Sequence, residues 1–197
     1  SSAASDVYKR QELENVDLKV IGGKWSLMLK DLNVHILEAS KKYCRSGEAM
    51  GTTFTGILFV GDQYVIAHVG DTRVYQITSD MKQLTTDQTF VAREVSRGTM
   101  TLEQALQDKR RNMLLQCVGA SDIVEPQVLT GKTVKGAYML CSDGFRHEIT
   151  EREMYESLNP INLMNKKAMH SNAKYLIEQV KSRQEKDNIS VVLIRAE

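Results

Sequence analysis

Three aspartates stand where short apolar runs meet a turn, and these are the residues of the chain best suited to chemistry. Asp71 and Asp143 each follow such a run, and Asp187 precedes one. If the runs are neighbouring antiparallel strands, the three carboxylates meet at one end of a sheet. Hard cations such as Mg²⁺ and Mn²⁺ prefer oxygen ligands of this kind, and without a cation the clustered acids would repel each other. The pattern therefore favours a metal site.

Each of these acids also has a simpler interpretation as a turn residue. Gly70-Asp71 fits a two-residue hairpin turn, and Asp143-Gly144 fits a turn after a strand. Asp187 is equally suited to ending the preceding helix or beginning a turn. From spacing alone, both interpretations stay open.

The elements that must position these acids follow from hydrophobic periodicity. Apolar residues three and four apart predict an amphipathic helix from Trp25 to Tyr43. Short β-rich runs separated by Gly-Asp pairs, between Thr53 and Ile77, are typical of an antiparallel meander. Capped helices are predicted to start at Thr101 and Thr150. Two further strands, a long helix and a closing strand are predicted at Gln127 to Thr130, Ala137 to Cys141, Lys166 to Ser182 and Ile189 to Ile194.

Composition limits the classes of function. Strands in the centre and at the end, flanked by helices, indicate an α+β fold. A net charge of +1 with interspersed charges gives no indication of electrostatic binding to nucleic acid or anionic lipid. No apolar run approaches the roughly 18 residues of a membrane span, and no signal peptide is visible. The cysteines Cys44, Cys117 and Cys141 are odd in number and widely spaced. This pattern predicts buried free thiols, and therefore a cytoplasmic protein.

The chain is predicted to hold one structural domain. Residues 1–11 begin Ser-Ser-Ala-Ala-Ser and are interpreted as a non-native or disordered start. Residues 12–197 form a single domain of ordinary size in this interpretation. Residues 88–125 are helical and polar, which indicates an excursion from the sheet.

Five short motifs occur in an order that resembles a known family. They are Met50-Gly51-Thr52-Thr53, His68-Val69-Gly70-Asp71-Thr72-Arg73, Leu84-Thr85-Thr86-Asp87, Cys141-Ser142-Asp143-Gly144 and Asp187-Asn188-Ile189-Ser190. Together they resemble the metal-dependent serine/threonine phosphatases of type 2C, the PPM family, in its bacterial form. The resemblance extends over roughly residues 25–195.

The resemblance implies a fold, a reaction and a set of ligands. The fold is a four-layer α-β-β-α sandwich of two antiparallel sheets flanked by helices. The reaction is hydrolysis of phosphoserine and phosphothreonine in proteins by water activated at a binuclear Mn²⁺ or Mg²⁺ centre, with a cognate kinase as a further partner. Asp143 and Asp187 match the catalytic ligands of the second metal, and Asp71 with Asp143 matches a third, weaker metal site. Residues 88–125 match a mobile flap beside the active site.

The chain departs from the family pattern at its beginning. The acidic first motif and the Asp-Gly-X-Gly-Gly segment, which supply ligands of the first metal, are not found. We therefore expect the N-terminal strands to be missing and the phosphatase activity of this chain to be weak or absent. The alternative is a non-catalytic pseudophosphatase that binds a phosphoprotein or a kinase. Gln88 replaces a common histidine, and His147 replaces an acid found in some members, which weakens the prediction of the third site.

Other candidate groups are better interpreted as structural. His68 lies inside a predicted strand, where a hydrogen-bonded core histidine is the usual finding. Cys141 could suggest a cysteine nucleophile near His147, but apolar neighbours raise the pKa of a thiol. Arg110 and Arg111 are interpreted as solvated charge, with contact to a phosphorylated substrate as the alternative.

Overall fold

The computed structural model describes residues 17–45 and 48–197. The predicted start at residues 1–11 lies outside these residues. Contacts between backbone segments divide the described residues into two compact units. The first comprises the described residues up to Val69 together with Gln116–Thr133, and the second comprises Gly70–Leu115 with Val134–Glu197. The single domain over residues 12–197 stays a prediction.

Both helices and strands occur along the described residues. The helices are α1 (Leu18–Tyr43), α2 (Phe90–Ser96), α3 (Leu102–Gln107), α4 (Asp143–Arg146), α5 (Glu151–Leu158) and α6 (Lys166–Ser182), with a 3₁₀ turn at Pro160–Asn162. The strands are β1 (Phe54–Val60), β2 (Gln63–Val69), β3 (Arg73–Ile77), β4 (Met81–Gln83), β5 (Gln127–Lys132), β6 (Gly136–Cys141) and β7 (Val191–Ala196).

The first unit packs α1 on a three-stranded antiparallel sheet in the order β1-β2-β5. Helix α1 begins earlier than predicted, because the Asp17 carboxylate accepts a hydrogen bond from the backbone N–H of Lys19 and caps it. A glycine is tolerated inside the helix at Gly22, where an added Cβ would come within 2.4 Å of Val128 Cγ1. Close packing on β5 therefore explains a residue that alone would weaken a helix.

The second unit contains a four-stranded antiparallel sheet in the order β4-β3-β6-β7. Helices α5 and α6 share its hydrophobic core, which includes the fully buried Tyr75, Met139, Phe145 and Leu158. Phe145 belongs to the short helix α4, so this core anchors the turn that follows β6. The prediction of two antiparallel sheets with flanking helices is confirmed.

The meander predicted between Thr53 and Ile77 is wrong for its third strand. Strands β1 and β2 pair as a hairpin, but β3 pairs with β4 and β6 in the other sheet. Gly70-Asp71 is therefore not a hairpin turn between paired strands. The local Gly-Asp signal could not show this, because the main partner of β3 comes much later in the sequence. The last strand also begins at Val191, later than predicted.

Two further predictions concern the burial of the cysteines and the lack of a membrane-spanning segment. Cys141 is buried as expected, whereas Cys44 and Cys117 are only partly buried. Within the described residues none of the three forms a disulfide. Over the same part of the chain, no helix combines the length and the apolar character that crossing a membrane requires.

Candidate metal centre

A network around Ser142 holds together the end of β6 and the approach to β7. Cys141 pairs with Val191 in the sheet, and one residue further on the N–H of Ser142 donates to the carbonyl of Ser190 at 3.0 Å. The Ser142 hydroxyl donates to the carbonyl of Asn188 and accepts from the N–H of Ser190, both at 3.0 Å. These bonds continue the pairing past the strand ends, so the segments that carry Asp143 and Asp187 are fixed to each other.

Gly144 lets the segment after β6 approach the segment before β7 closely. A Cβ at Gly144 would lie 2.7 Å from the carbonyl oxygen of Asn188 and 3.1 Å from Cβ of Asp187. Only glycine fits such a contact without a shift of the backbone. Asp143, the first residue of α4, therefore lies one residue away from this close contact with Asp187.

Asp71 lies within electrostatic reach of Asp143. Its residue is 8% exposed, and the carboxyl has a pKa raised first by burial and then by the negative charge of Asp143. Arg146 opposes this shift, with Nη2 3.7 Å from Asp71 Oδ2 and 3.3 Å from the Asp71 carbonyl oxygen. The site therefore concentrates negative charge that a cation would stabilise.

Asp87 and Arg146 are site residues that the sequence prediction missed. Asp87 accepts a bidentate pair from Arg73, at 2.8 Å to Nε and 2.7 Å to Nη2, and lies 3.4 Å from Nη2 of Arg146. Asp87 is the last residue of the motif Leu84-Thr85-Thr86-Asp87, but the sequence alone assigned no role to it. The signal for Arg146 was its spacing, since a residue three positions after Asp143 lies on the same side of a helix.

Gln88 fixes the backbone in front of Asp71. Its side-chain oxygen accepts from the N–H of Gly70 at 2.8 Å, and its own N–H donates to the Gly70 carbonyl at 2.7 Å. The Gln88 carbonyl also accepts from the N–H of Leu115, which closes the base of the predicted flap. Gln88 thus has a positioning role, although it replaces the histidine common in the family pattern.

A cavity of about 450 Å³ opens beside Asp187. Its lining includes Arg111, His147, Glu185 and Asp187. Glu185 accepts from the N–H of Asp187 at 2.8 Å and lies 3.2 Å from Nδ1 of His147, whose Nε2 is 3.8 Å from Asp143 Oδ2. Arg111 brings a positive charge from the predicted flap into this cavity. By contrast, Arg110 pairs with Asp108 at 2.8 Å and lies over the Phe90 ring.

The structural interpretations of Cys141 and His68 are confirmed. Burial raises the pKa of the Cys141 thiol to about 12, so a nucleophilic thiolate is absent near neutral pH. His68 is fully buried, and its Nδ1 lies 2.8 Å from the hydroxyl of its cross-strand neighbour Thr55.

The predicted ligands fit a divalent cation as donors, but they do not form a ready cage. Within residues 17–45 and 48–197, no group of three or more His, Cys, Asp or Glu side chains is close enough to hold a metal ion by itself. The predicted ligands Asp143 and Asp187 carry carboxylate oxygens on adjoining segments, and this is the donor type that Mn²⁺ and Mg²⁺ prefer. Asp71 lies within electrostatic reach of Asp143, but its carboxylate forms an ion pair with Arg146.

Comparison with known proteins finds relatives that are serine/threonine phosphatases. The chain is 33% identical over 147 residues to the serine/threonine phosphatase Stp of Listeria innocua, an alignment that covers 74% of this chain. The chain belongs to the PPM family of serine/threonine phosphatases. The chain spans 56% of the length of the Listeria phosphatase. No known family model matches it.

Solved PPM structures agree with the fold. The serine/threonine phosphatase of S. agalactiae superposes with a TM-score of 0.81 at 27% identity, covering 92% of this chain and 73% of that one. The catalytic domain of the phosphatase PstP, solved in complex with two manganese ions, superposes with a TM-score of 0.67 at 29% identity, covering 82% of this chain and 65% of that one. Binding of two manganese ions is thus recorded for a protein similar to this chain.

Proposed function

We propose that this chain belongs to a protein phosphatase that hydrolyses phosphoserine and phosphothreonine, and that Asp143 and Asp187 hold its second metal ion. The third, weaker site predicted at Asp71 is not part of this proposal. The observation that supports the proposal is the junction at Ser142, whose hydrogen bonds hold together the segments that carry Asp143 and Asp187. The kinship with phosphatases of the PPM family supports the reaction class.

The chemistry divides between the ions and the residues of this chain. Two divalent ions, when bound, would supply an activated water and positive charge for the phosphoryl oxygens. Asp143 and Asp187 would hold one of these ions, and the hydrogen bonds of Ser142 tie together the segments that carry them. The cavity beside Asp187 offers Arg111 as a positive group for a phosphorylated side chain. Buried Cys141 takes no part in this reaction.

Substrates and compartment follow from the same proposal. The substrates are phosphoserine and phosphothreonine proteins, and a cognate serine/threonine kinase is the partner that produces them. The three cysteines outside any disulfide support a cytoplasmic location. The relatives found are phosphatases, and no observation favours the non-catalytic alternative.

The proposal is tested with a phosphothreonine peptide and the full product of the gene that contains this chain. We expect phosphate release in the presence of Mn²⁺ or Mg²⁺, loss of release in EDTA, and recovery when Mn²⁺ is returned in excess. Release can be followed by a colorimetric phosphate assay. A folded protein that binds Mn²⁺ and releases no phosphate would contradict the phosphatase function. Equal release with and without EDTA would contradict the metal dependence.

A further inference from the structure

Arg146 is a mostly buried cation that lies between two carboxylates. Its side chain is 15% exposed, and those of Asp71 and Asp87 are each 11% exposed. Nη2 of Arg146 is 3.7 Å from Asp71 Oδ2 and 3.4 Å from Asp87 Oδ2, and it donates to the carbonyl oxygen of Asp71 at 3.3 Å. The guanidinium thus contacts both the side chain and the backbone of Asp71.

The charge of Arg146 is available to Asp71 because Asp87 has another partner. Arg73 donates from Nε to both oxygens of Asp87, at 2.8 and 3.1 Å, and from Nη2 at 2.7 Å. This fork-to-fork pair is the strong geometry for arginine and carboxylate. Arg73 therefore neutralises Asp87, and Arg146 supplies the positive charge that remains for Asp71.

Arg146 occupies this position although one of its hydrogen-bond donors has no partner. Its Nε is buried without a hydrogen-bond partner in the structure. Burying an unpaired donor is costly, so the arrangement requires a compensating gain, which the contacts with Asp71 and Asp87 provide. The backbone also constrains it, because Arg146 ends the short helix that Asp143 begins.

We propose that the Arg146 guanidinium takes the place of a third divalent ion at Asp71. The inference rests on the proposed function, since it concerns the third site predicted from Asp71 and Asp143. A divalent ion between these carboxylates would lie beside a fixed positive charge, which disfavours its binding. Asp71 thus binds arginine, and the metal ions of the centre are held without it.

The proposal is tested by counting Mn²⁺ ions per protein molecule, with equilibrium dialysis and metal analysis and without any phosphorylated substrate. Arg146→Met removes the charge and keeps a side chain of similar length. We expect this variant to bind one more equivalent of Mn²⁺ than the unmodified protein. The matched control Arg146→Lys keeps the charge and should bind the same number as the unmodified protein. Equal numbers in all three proteins, or a gain in Arg146→Lys as well, would overturn the proposal.

A second variant keeps the test valid if Arg146→Met does not fold. Asp71→Asn in the otherwise unmodified protein should leave the number of bound Mn²⁺ ions unchanged, because Asp71 is not a metal ligand while Arg146 is present. Loss of one equivalent in Asp71→Asn would overturn the proposal. Since the readout is a difference in bound metal, a failure of the phosphatase assay leaves this result interpretable.

Discussion

Replacing Asp143 by asparagine is expected to lower Mn²⁺-dependent phosphate release from a phosphothreonine peptide by at least about 100-fold. Loss of a group that only supports a metal ligand already costs about 10- to 100-fold, and Asp143 is proposed as a ligand itself. Asparagine keeps the size of the side chain but removes the negative charge that a divalent cation requires. The measurement is the rate of phosphate release at saturating substrate, compared with that of the unmodified protein at the same concentration.

The matched control is Asp62→Asn, which makes the same change at an exposed residue in the turn between β1 and β2. We expect Asp62→Asn to retain the activity of the unmodified protein. If Asp143→Asn keeps full activity while the protein remains Mn²⁺-dependent, Asp143 is not a ligand of the catalytic metal.

Replacing Asp87 by alanine is expected to lower the free energy of unfolding by about 3–5 kcal/mol. Asp87 lies between Arg73 and Arg146 and has an 11% exposed side chain, so its loss leaves two mostly buried guanidinium groups without their shared carboxylate. For a chain of this size the expected fall in melting temperature is roughly 10 °C. Thermal unfolding followed by circular dichroism measures it.

Asp80→Ala serves as the control for stability, because Asp80 is an exposed acid in the turn between β3 and β4. Surface changes of this kind usually alter the free energy of unfolding by less than about 0.5 kcal/mol. A melting temperature of Asp87→Ala equal to that of Asp80→Ala would show that the Arg73–Asp87–Arg146 network contributes nothing to stability.

Local patterns predicted the elements of this chain well where periodicity was strong. The amphipathic spacing after Trp25 indicated α1, and the capping residues Thr101 and Thr150 marked the starts of α3 and α5, each of which has a complete capping box. The pairing of strands was less predictable. A Gly-Asp pair follows both β1 and β2, yet only the first of these pairs closes a hairpin.

The candidate site was predictable in its acids but not in its cations. Asp143 and Asp187 could be proposed from their positions at apolar runs, and the structure brings their segments together through Ser142 and Gly144. The Arg73–Asp87–Arg146 network depends on the packing of β3 against β6 and on the short helix after β6. The spacing of Arg146 from Asp143 was a local signal, but it does not specify such tertiary contacts.

The central claim is that Asp143 and Asp187 together bind a divalent cation. The most direct test is a calorimetric titration of Mn²⁺ into the unmodified protein and into its Asp187→Asn variant, with folding checked by circular dichroism. We expect Mn²⁺ to bind the unmodified protein and the affinity for one ion to fall by at least about 10-fold in Asp187→Asn. Identical Mn²⁺ binding by the two folded proteins would contradict the claim.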